Sequence, residues 1–302
     1  MTSSPAVKAL DGLLSFPITP FTDGAVDVGR FRSHVRHQID AGADAIFAAC
    51  GTGEFFSLTP DELDLVVAEA VREAAGAVPV FSGVGYGTAI AVDLARRAAR
   101  AGADGLLLLP PYLVAAEQGG LLQHIRTVAE ATDLPMVPYQ RDNAQFSVDT
   151  VVRLAALPTV AGLKDGVGRL DFLSFVRARL GDDFPIVNGL PTAEMSALPL
   201  SGIGVSGYSS AVLNFLPEVA SAFRAALDAG GAQEAHRLLT GFFEPWVALR
   251  DEAKGFAVAL VKAGVDLRYG GVGPVRPPLT EPDDSQRRRL SDLIDQGLAL
   301  VA

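Results

Sequence analysis

The sequence predicts an α/β protein, a (β/α)8 TIM barrel with a C-terminal helical extension, and three observations carry that prediction. Eight short apolar runs alternate with amphipathic segments, the pattern of βα units around a parallel sheet. The unit Ala-Gly-Ala-Asp occurs at 41–44 and again at 101–104, each time closing a helix and leading into a strand, with glycine available for the left-handed turn. With 49% hydrophobic and 20% charged residues among 302, the chain can fill one large core and lacks the composition of a disordered segment.

The runs lie near residues 13–17, 45–48, 78–83, 105–109, 136–139, 160–164, 185–188 and 203–206. Between the second and third, Thr59 is expected to cap a helix with Pro60 at its first position and Glu62 completing a capping box. Leu63, Val66, Val67, Ala70, Val71 and Ala74 then form its apolar face. After the eighth run the pattern turns helical through 216–229, 233–261 and 285–301, with a Pro/Gly-rich link at 270–278. The expected organisation is a catalytic barrel over 1–230 and a helical extension over 231–302, packed on the barrel as part of the same domain.

A net charge of −10 leaves no basic surplus to neutralise phosphates, which argues against a nucleic-acid partner. No apolar run approaches the length of a membrane span, and the first residues lack the basic-then-apolar pattern of a leader. The expectation is a cytoplasmic protein without a membrane partner. Cys50 is the sole cysteine, which rules out an internal disulfide and a multi-cysteine metal site. His34, His37, His124 and His236 fall in helix-like segments without clustered carboxylates, so no metal is expected. The remaining partner class is a small molecule.

In a barrel of this kind the active site lies at the C-terminal ends of the strands. Of the lysines Lys8, Lys164, Lys254 and Lys262, only Lys164 ends an expected strand, within Val160-Ala161-Gly162-Leu163-Lys164-Asp165-Gly166. A lysine buried there loses proton affinity and becomes an amine nucleophile. The competing reading is a lysine that reaches solvent or pairs with Asp165. Tyr139 ends the preceding strand, roughly 4.8 Å away across the sheet, where a phenol can shuttle protons beside the amine or merely pack at the rim. The second strand empties into Cys50-Gly51-Thr52-Gly53-Glu54. Successive amides at Gly51, Thr52 and Gly53, with the Thr52 hydroxyl, suit a carboxylate, or form only a tight turn. The stretch 82–88 lacks a proper GxGxxG spacing, and Cys50 has no histidine partner, so neither nucleotide binding nor a thiol nucleophile is favoured.

Taken in order, Ser15-Phe16-Pro17-Ile18-Thr19-Pro20-Phe21, the Gly-Thr-Gly-Glu turn, Pro111-Tyr112, Pro138-Tyr139 and Gly162-Leu163-Lys164 resemble the dihydrodipicolinate synthase / N-acetylneuraminate lyase superfamily over nearly the whole chain. The resemblance implies that Lys164 forms a Schiff base with a keto acid, that Tyr139 shuttles protons and that Thr52 belongs to the carboxylate site. It also implies a homo-oligomer. Gly51-Thr52 replaces the two adjacent hydroxyl residues usual in the synthase and the sialic-acid lyase, and Leu113 stands where the synthase carries a second tyrosine. By contrast 50–58, 139–144, 207–211 and 271–279 look like the 5-dehydro-4-deoxyglucarate dehydratase branch, which dehydrates and decarboxylates its substrate to 2,5-dioxopentanoate.

That chemistry implies no cofactor beyond the lysine and an α-keto diacid as partner. A diacid needs a second anion site, for which Arg141 is the candidate, with Ser206, Gly207 and Ser209 contributing from the eighth strand end. Arg141 has a competing structural reading as a loop arginine holding Asp142. The rival functions are a class I aldolase acting on a 2-keto-3-deoxy sugar acid, which would release pyruvate, and a non-catalytic barrel that binds a keto acid.

Overall fold

The computed structural model describes residues 4–253 and 255–302; Lys254 lies outside the described residues. Eight parallel strands close into a barrel: β1 (Leu13–Ser15), β2 (Ala45–Ala48), β3 (Val80–Val84), β4 (Gly105–Leu108), β5 (Met136–Gln140), β6 (Leu163–Asp165), β7 (Ile186–Asn188) and β8 (Tyr208–Ser210). Each follows its predecessor around the ring, and β8 pairs with β1 to close it. A small antiparallel hairpin, Phe21–Thr22 with Ala25–Val26, follows β1. The outer helices are α1 (Val28–Asp40), α2 (Pro60–Ala74), α3 (Thr88–Arg100), α4 (Gln118–Ala129), α5 (Val148–Ala155), α6 (Leu170–Leu180), α7 (Glu194–Ser201) and α8 (Pro217–Asp228). Among the described residues, no helix is long and apolar enough to cross a membrane.

Local chemistry explains the elements. At the start of α2, Thr59 and Glu62 exchange both bonds of the capping box behind Pro60, and Leu63, Val66, Val67, Ala70 and Ala74 are buried. The repeated Ala-Gly-Ala-Asp unit does more than end a helix. Asp44 accepts the Leu13 amide at 2.7 Å and Asp104 accepts the Val80 amide at 2.8 Å, so each aspartate closes the lower end of a neighbouring strand. Unpaired strand-end amides are thereby satisfied.

Strand pleating divides the side chains into two cores. Outward residues pack under the helices, while Leu14, Phe16, Phe47, Phe81, Leu107, Val137, Tyr139 and Val187 fill the interior with Leu10 from the N-terminal turn. Phe16, Phe47 and Phe81 form a stack with centroid spacings of 4.6 Å. The barrel is therefore closed below, and its open upper end leaves the C-terminal strand ends for a ligand to approach.

The eighth strand is not at 203–206. Gly204 takes φ +76°, which breaks an extended run there, and the strand is the polar segment Tyr208–Ser210. Ser206 and Gly207 consequently precede the strand and sit at the lower end of the barrel. Ser206 approaches Asp11, its carbonyl accepts from Arg224, and Gly207 packs on the Leu10 backbone. Neither reaches the upper end, so their expected substrate role is withdrawn.

After α8 the chain continues through α9 (Ala232–Leu238), a π-helical turn (Leu239–Phe243), α10 (Glu244–Arg250), α11 (Phe256–Tyr269) and α12 (Asp284–Val301). The link between α11 and α12 runs back to the barrel, where the Phe21 amide donates to Val272 and the Arg276 amide donates to Glu54.

A methyl group at Gly207 would overlap the Leu10 carbonyl oxygen. Gly207→Ala should destabilise the protein by about 1–3 kcal/mol, the range for overpacking, with a lowered melting temperature. Loss of activity at unchanged stability would instead restore Gly207 to the ligand site.

Candidate active site

Lys164 and Tyr139 are directly opposite each other in the β5–β6 register, and both point into the barrel. The lysine stem crosses Gly189 closely: a Cβ there would lie 2.6 Å from Lys164 Cε. Its Nζ is 3.8 Å from the centroid of Phe16 and 4.6 Å from that of Tyr139. The Tyr139 hydroxyl donates to the Gly189 carbonyl at 2.8 Å. One short segment after β7 thus seats both side chains.

Lys164 is only 6% exposed. Burial pushes its amine down to about 7, and the Arg141 guanidinium pushes the same way. Pairing with Asp165 is excluded by the pleat. Asp165 points outward, accepting from Gln140 Nε2 at 2.5 Å and from the Gly168 amide at 2.8 Å. Burial raises the Tyr139 phenol, with the adjacent Arg141 acting against that rise. The Cys50 thiol is pushed up to about 12 by burial, which removes it as a thiolate nucleophile.

Gly51 and Thr52 line the cavity above Lys164. Among the described residues, the amides of Gly51, Thr52 and Gly53 donate to no other protein group, whereas those of Glu54 and Phe55 close the turn onto Gly51 and Cys50. Gly53 is buried beneath, its carbonyl accepting from Thr19 Oγ1 at 2.7 Å. Glu54 then anchors the turn. It is fully buried with φ +58°, and one oxygen accepts from Lys262 Nζ at 2.9 Å while the other accepts from the Arg276 amide at 2.9 Å. Lys262 also donates to the Thr19 carbonyl and lies 4.1 Å from the Phe21 centroid.

The cavity holds about 830 Å³ and extends from Lys164 to the start of α11. Arg141 stands on its wall, in a turn closed by paired Arg141–Ala144 backbone bonds and tied down by Asn143 to the Pro111 and Val114 carbonyls. It meets Asp142 through Nε alone, at 3.1 Å. Ser209 points inward and lines the same cavity. Sequence reading missed Phe16, Thr192, Trp246 and Arg250 on this wall. Phe16 had a signal in the alternation of β1. Trp246 and Arg250 come from the extension, where helical periodicity gives no hint of an approach to the barrel.

Residues 9–297 match the family model described as "Dihydrodipicolinate synthetase family". The chain belongs to the dihydrodipicolinate synthetase family. Relatives include a protein of Streptomyces griseus named "Probable 5-dehydro-4-deoxyglucarate dehydratase", 54% identical over 311 residues and covering 100% of this chain and 97% of that one. A protein of Streptomyces avermitilis named "Probable 5-dehydro-4-deoxyglucarate dehydratase 1" is 51% identical, covering 100% and 99%. Among solved structures, dihydrodipicolinate synthase from Bacillus clausii superposes with a TM-score of 0.89 at 28% identity, covering 96% of this chain and 98% of that one. The expected fold and family membership are thereby borne out.

The depressed lysine makes a pH prediction. The neutral amine fraction should rise about tenfold from pH 6 towards a plateau above pH 8, since each unit below the pKa lowers it about tenfold. Competitive labelling with acetic anhydride, read by peptide mass analysis, should show Lys164 titrating near 7. A labelling rate still rising through pH 10 would mean an ordinary, solvated lysine.

Proposed function

We propose that this chain is a 5-dehydro-4-deoxyglucarate dehydratase. The observation that carries the reading is the register pair itself: a desolvated amine without a carboxylate partner among the described residues, beside a buried phenol, at the strand ends of this family's barrel.

In the proposed reaction, the Lys164 amine adds to the C5 carbonyl, and loss of water leaves an iminium. The iminium acidifies C4. Removal of a C4 proton, with Tyr139 as the proton shuttle, gives an enamine that expels the C3 hydroxyl as water once it is protonated. The resulting conjugated iminium accepts the electron pair of the C1–C2 bond, so C1 leaves as carbon dioxide. Protonation at C3 and C4 and hydrolysis of the iminium release 2,5-dioxopentanoate and regenerate the amine. The electron sink is the iminium, and the scheme draws on no metal or organic cofactor.

The carboxylate next to the reacting carbonyl is assigned to the amides of Gly51, Thr52 and Gly53 with the Thr52 hydroxyl. The distal carboxylate is assigned to Arg141, whose terminal nitrogens are not used by Asp142, and Ser209 contributes a hydroxyl. In this reading residues 1–230 are the catalytic barrel and 231–302 an extension of the same domain. The enzyme works in the cytoplasm as a homo-oligomer; the exposed run Tyr112, Leu113 and Val114 is apolar surface that a second copy would cover.

Incubation with 5-dehydro-4-deoxy-D-glucarate should release carbon dioxide and 2,5-dioxopentanoate in equal amounts, and borohydride should trap the adduct on Lys164. Release of pyruvate would replace this reading with an aldolase. Tyr139→Phe should lower kcat by roughly 10²- to 10⁴-fold, the usual share of general acid–base catalysis, with KM little changed. Near-normal turnover would reduce Tyr139 to packing. Arg141→Ala should weaken the diacid by roughly 10- to 150-fold while leaving pyruvate able to form the Lys164 imine. Equal losses for both ligands would make Arg141 structural.

A further inference from the structure

The cavity wall carries two arginines, each paired with the aspartate that follows it, and the two pairs differ in a way that decides what each can bind. Arg141 gives Asp142 one nitrogen. Arg250 gives Asp251 two, Nε to Oδ1 at 2.8 Å and Nη2 to Oδ2 at 3.1 Å, and its remaining nitrogen, Nη1, donates to Thr192 Oγ1 at 2.5 Å. Every guanidinium nitrogen of Arg250 is engaged and its charge is offset by a carboxylate. An anionic ligand would meet Asp251 as well as Arg250 and gain little.

A neutral Arg–Asp pair with a hydroxyl beside it suits a different chemistry. Vicinal hydroxyls present donors and acceptors together, and the group offers acceptors on Asp251 and Thr192 with donors on the Thr192 hydroxyl and on the second N–H of each terminal Arg250 nitrogen. Arg250, Asp251 and Thr192 all line the cavity that contains Lys164. Thr192 is a buried β-branched residue held at φ +51°, a conformation retained where surrounding structure imposes it and concentrated at ligand sites. It lies three residues after Gly189, which contacts both the Lys164 stem and the Tyr139 hydroxyl, hence within roughly 11 Å of it along the chain. The turn after β5 carries Arg141, and the loop after β7 carries Thr192.

We propose that Arg250, Asp251 and Thr192 form a hydroxyl-reading subsite that recognises the adjacent hydroxyl groups of a keto-acid substrate, while Arg141 takes its distal carboxylate. This rests on the function proposed above and adds the basis for selecting a hydroxylated chain over a plain one.

The test compares 5-dehydro-4-deoxy-D-glucarate with 2-oxoadipate, the corresponding six-carbon keto diacid without hydroxyl groups. Asp251→Ala should lower kcat/KM for the hydroxylated substrate by roughly 10- to 100-fold. Borohydride trapping of 2-oxoadipate on Lys164 should stay level or rise, because this ligand has no hydroxyls for the subsite to lose and the released guanidinium no longer presents a carboxylate that repels its distal anionic end. Thr192→Ser, which keeps the hydroxyl, should retain the preference. Equal losses for both ligands, or none for either, overturn the subsite while leaving the lyase reading intact. Failure of the unaltered protein to form an adduct with either diacid overturns the lyase reading itself, and this subsite with it.

Discussion

An amine at the centre of a barrel, without a counter-ion among the described residues, is the constraint on which the upper end of this structure depends. Burial is the largest cause that moves Lys164 to about 7, with Arg141 adding to it, and any carboxylate brought within a few ångströms would oppose the shift. The surrounding acids are accordingly tied elsewhere. Asp165 serves the outer face of β6, Glu54 is held by Lys262, Asp142 and Asp251 meet arginines, and Glu194 lies behind β8 against Ser210. Keeping the amine neutral near pH 7 has a thermodynamic cost. The unfolded chain binds more protons than the folded one between about 7 and 10.5, so stability from this residue is lowest below 7 and recovers as pH rises across that window.

The Glu54–Lys262 pair shows how that cost is borne by the scaffold. Two opposite charges are buried together, and each also engages the backbone: Glu54 accepts from the Arg276 amide, and Lys262 donates to the Thr19 carbonyl. Breaking a buried pair by removing one partner typically costs about 3–5 kcal/mol, because the survivor is stranded. Here the pair links the β2 turn, the segment after β1, helix α11 and the 270–283 link. The loop that presents Gly51 and Thr52 is therefore fixed from below, although the amides of Gly51, Thr52 and Gly53 have no internal partner among the described residues.

What the sequence made legible follows from how local each signal is. The capping box at Thr59, the repeated Ala-Gly-Ala-Asp unit and the apolar runs of the first seven strands are written in neighbouring residues, and Lys164 and Tyr139 follow once strand ends are located. The eighth strand was hidden because Tyr208–Ser210 contains two serines and buries Ser210 against Glu194, so polar partners replace the apolar alternation that marks a strand. That error carried Ser206 and Gly207 to the wrong end of the barrel. Arg250, Trp246 and Lys262 reach the site from helices after the barrel. Their positions depend on how those helices return across the strand ends, which no local pattern encodes.

The proposed chemistry also explains why the two arginines should differ. The distal carboxylate must remain anionic while the substrate is bound, yet give up its charge when it departs as carbon dioxide. A guanidinium that grips it as strongly in the ground state as in the transition state helps binding without helping the chemical step, and one that grips more strongly in the ground state opposes it. Arg141 is half-exposed and already shares Nε with Asp142, which tempers its hold. A fully engaged, more buried Arg250 beside Asp251 lacks the free charge to restrain a departing carboxylate, so hydroxyl recognition is the role it can play without slowing decarboxylation.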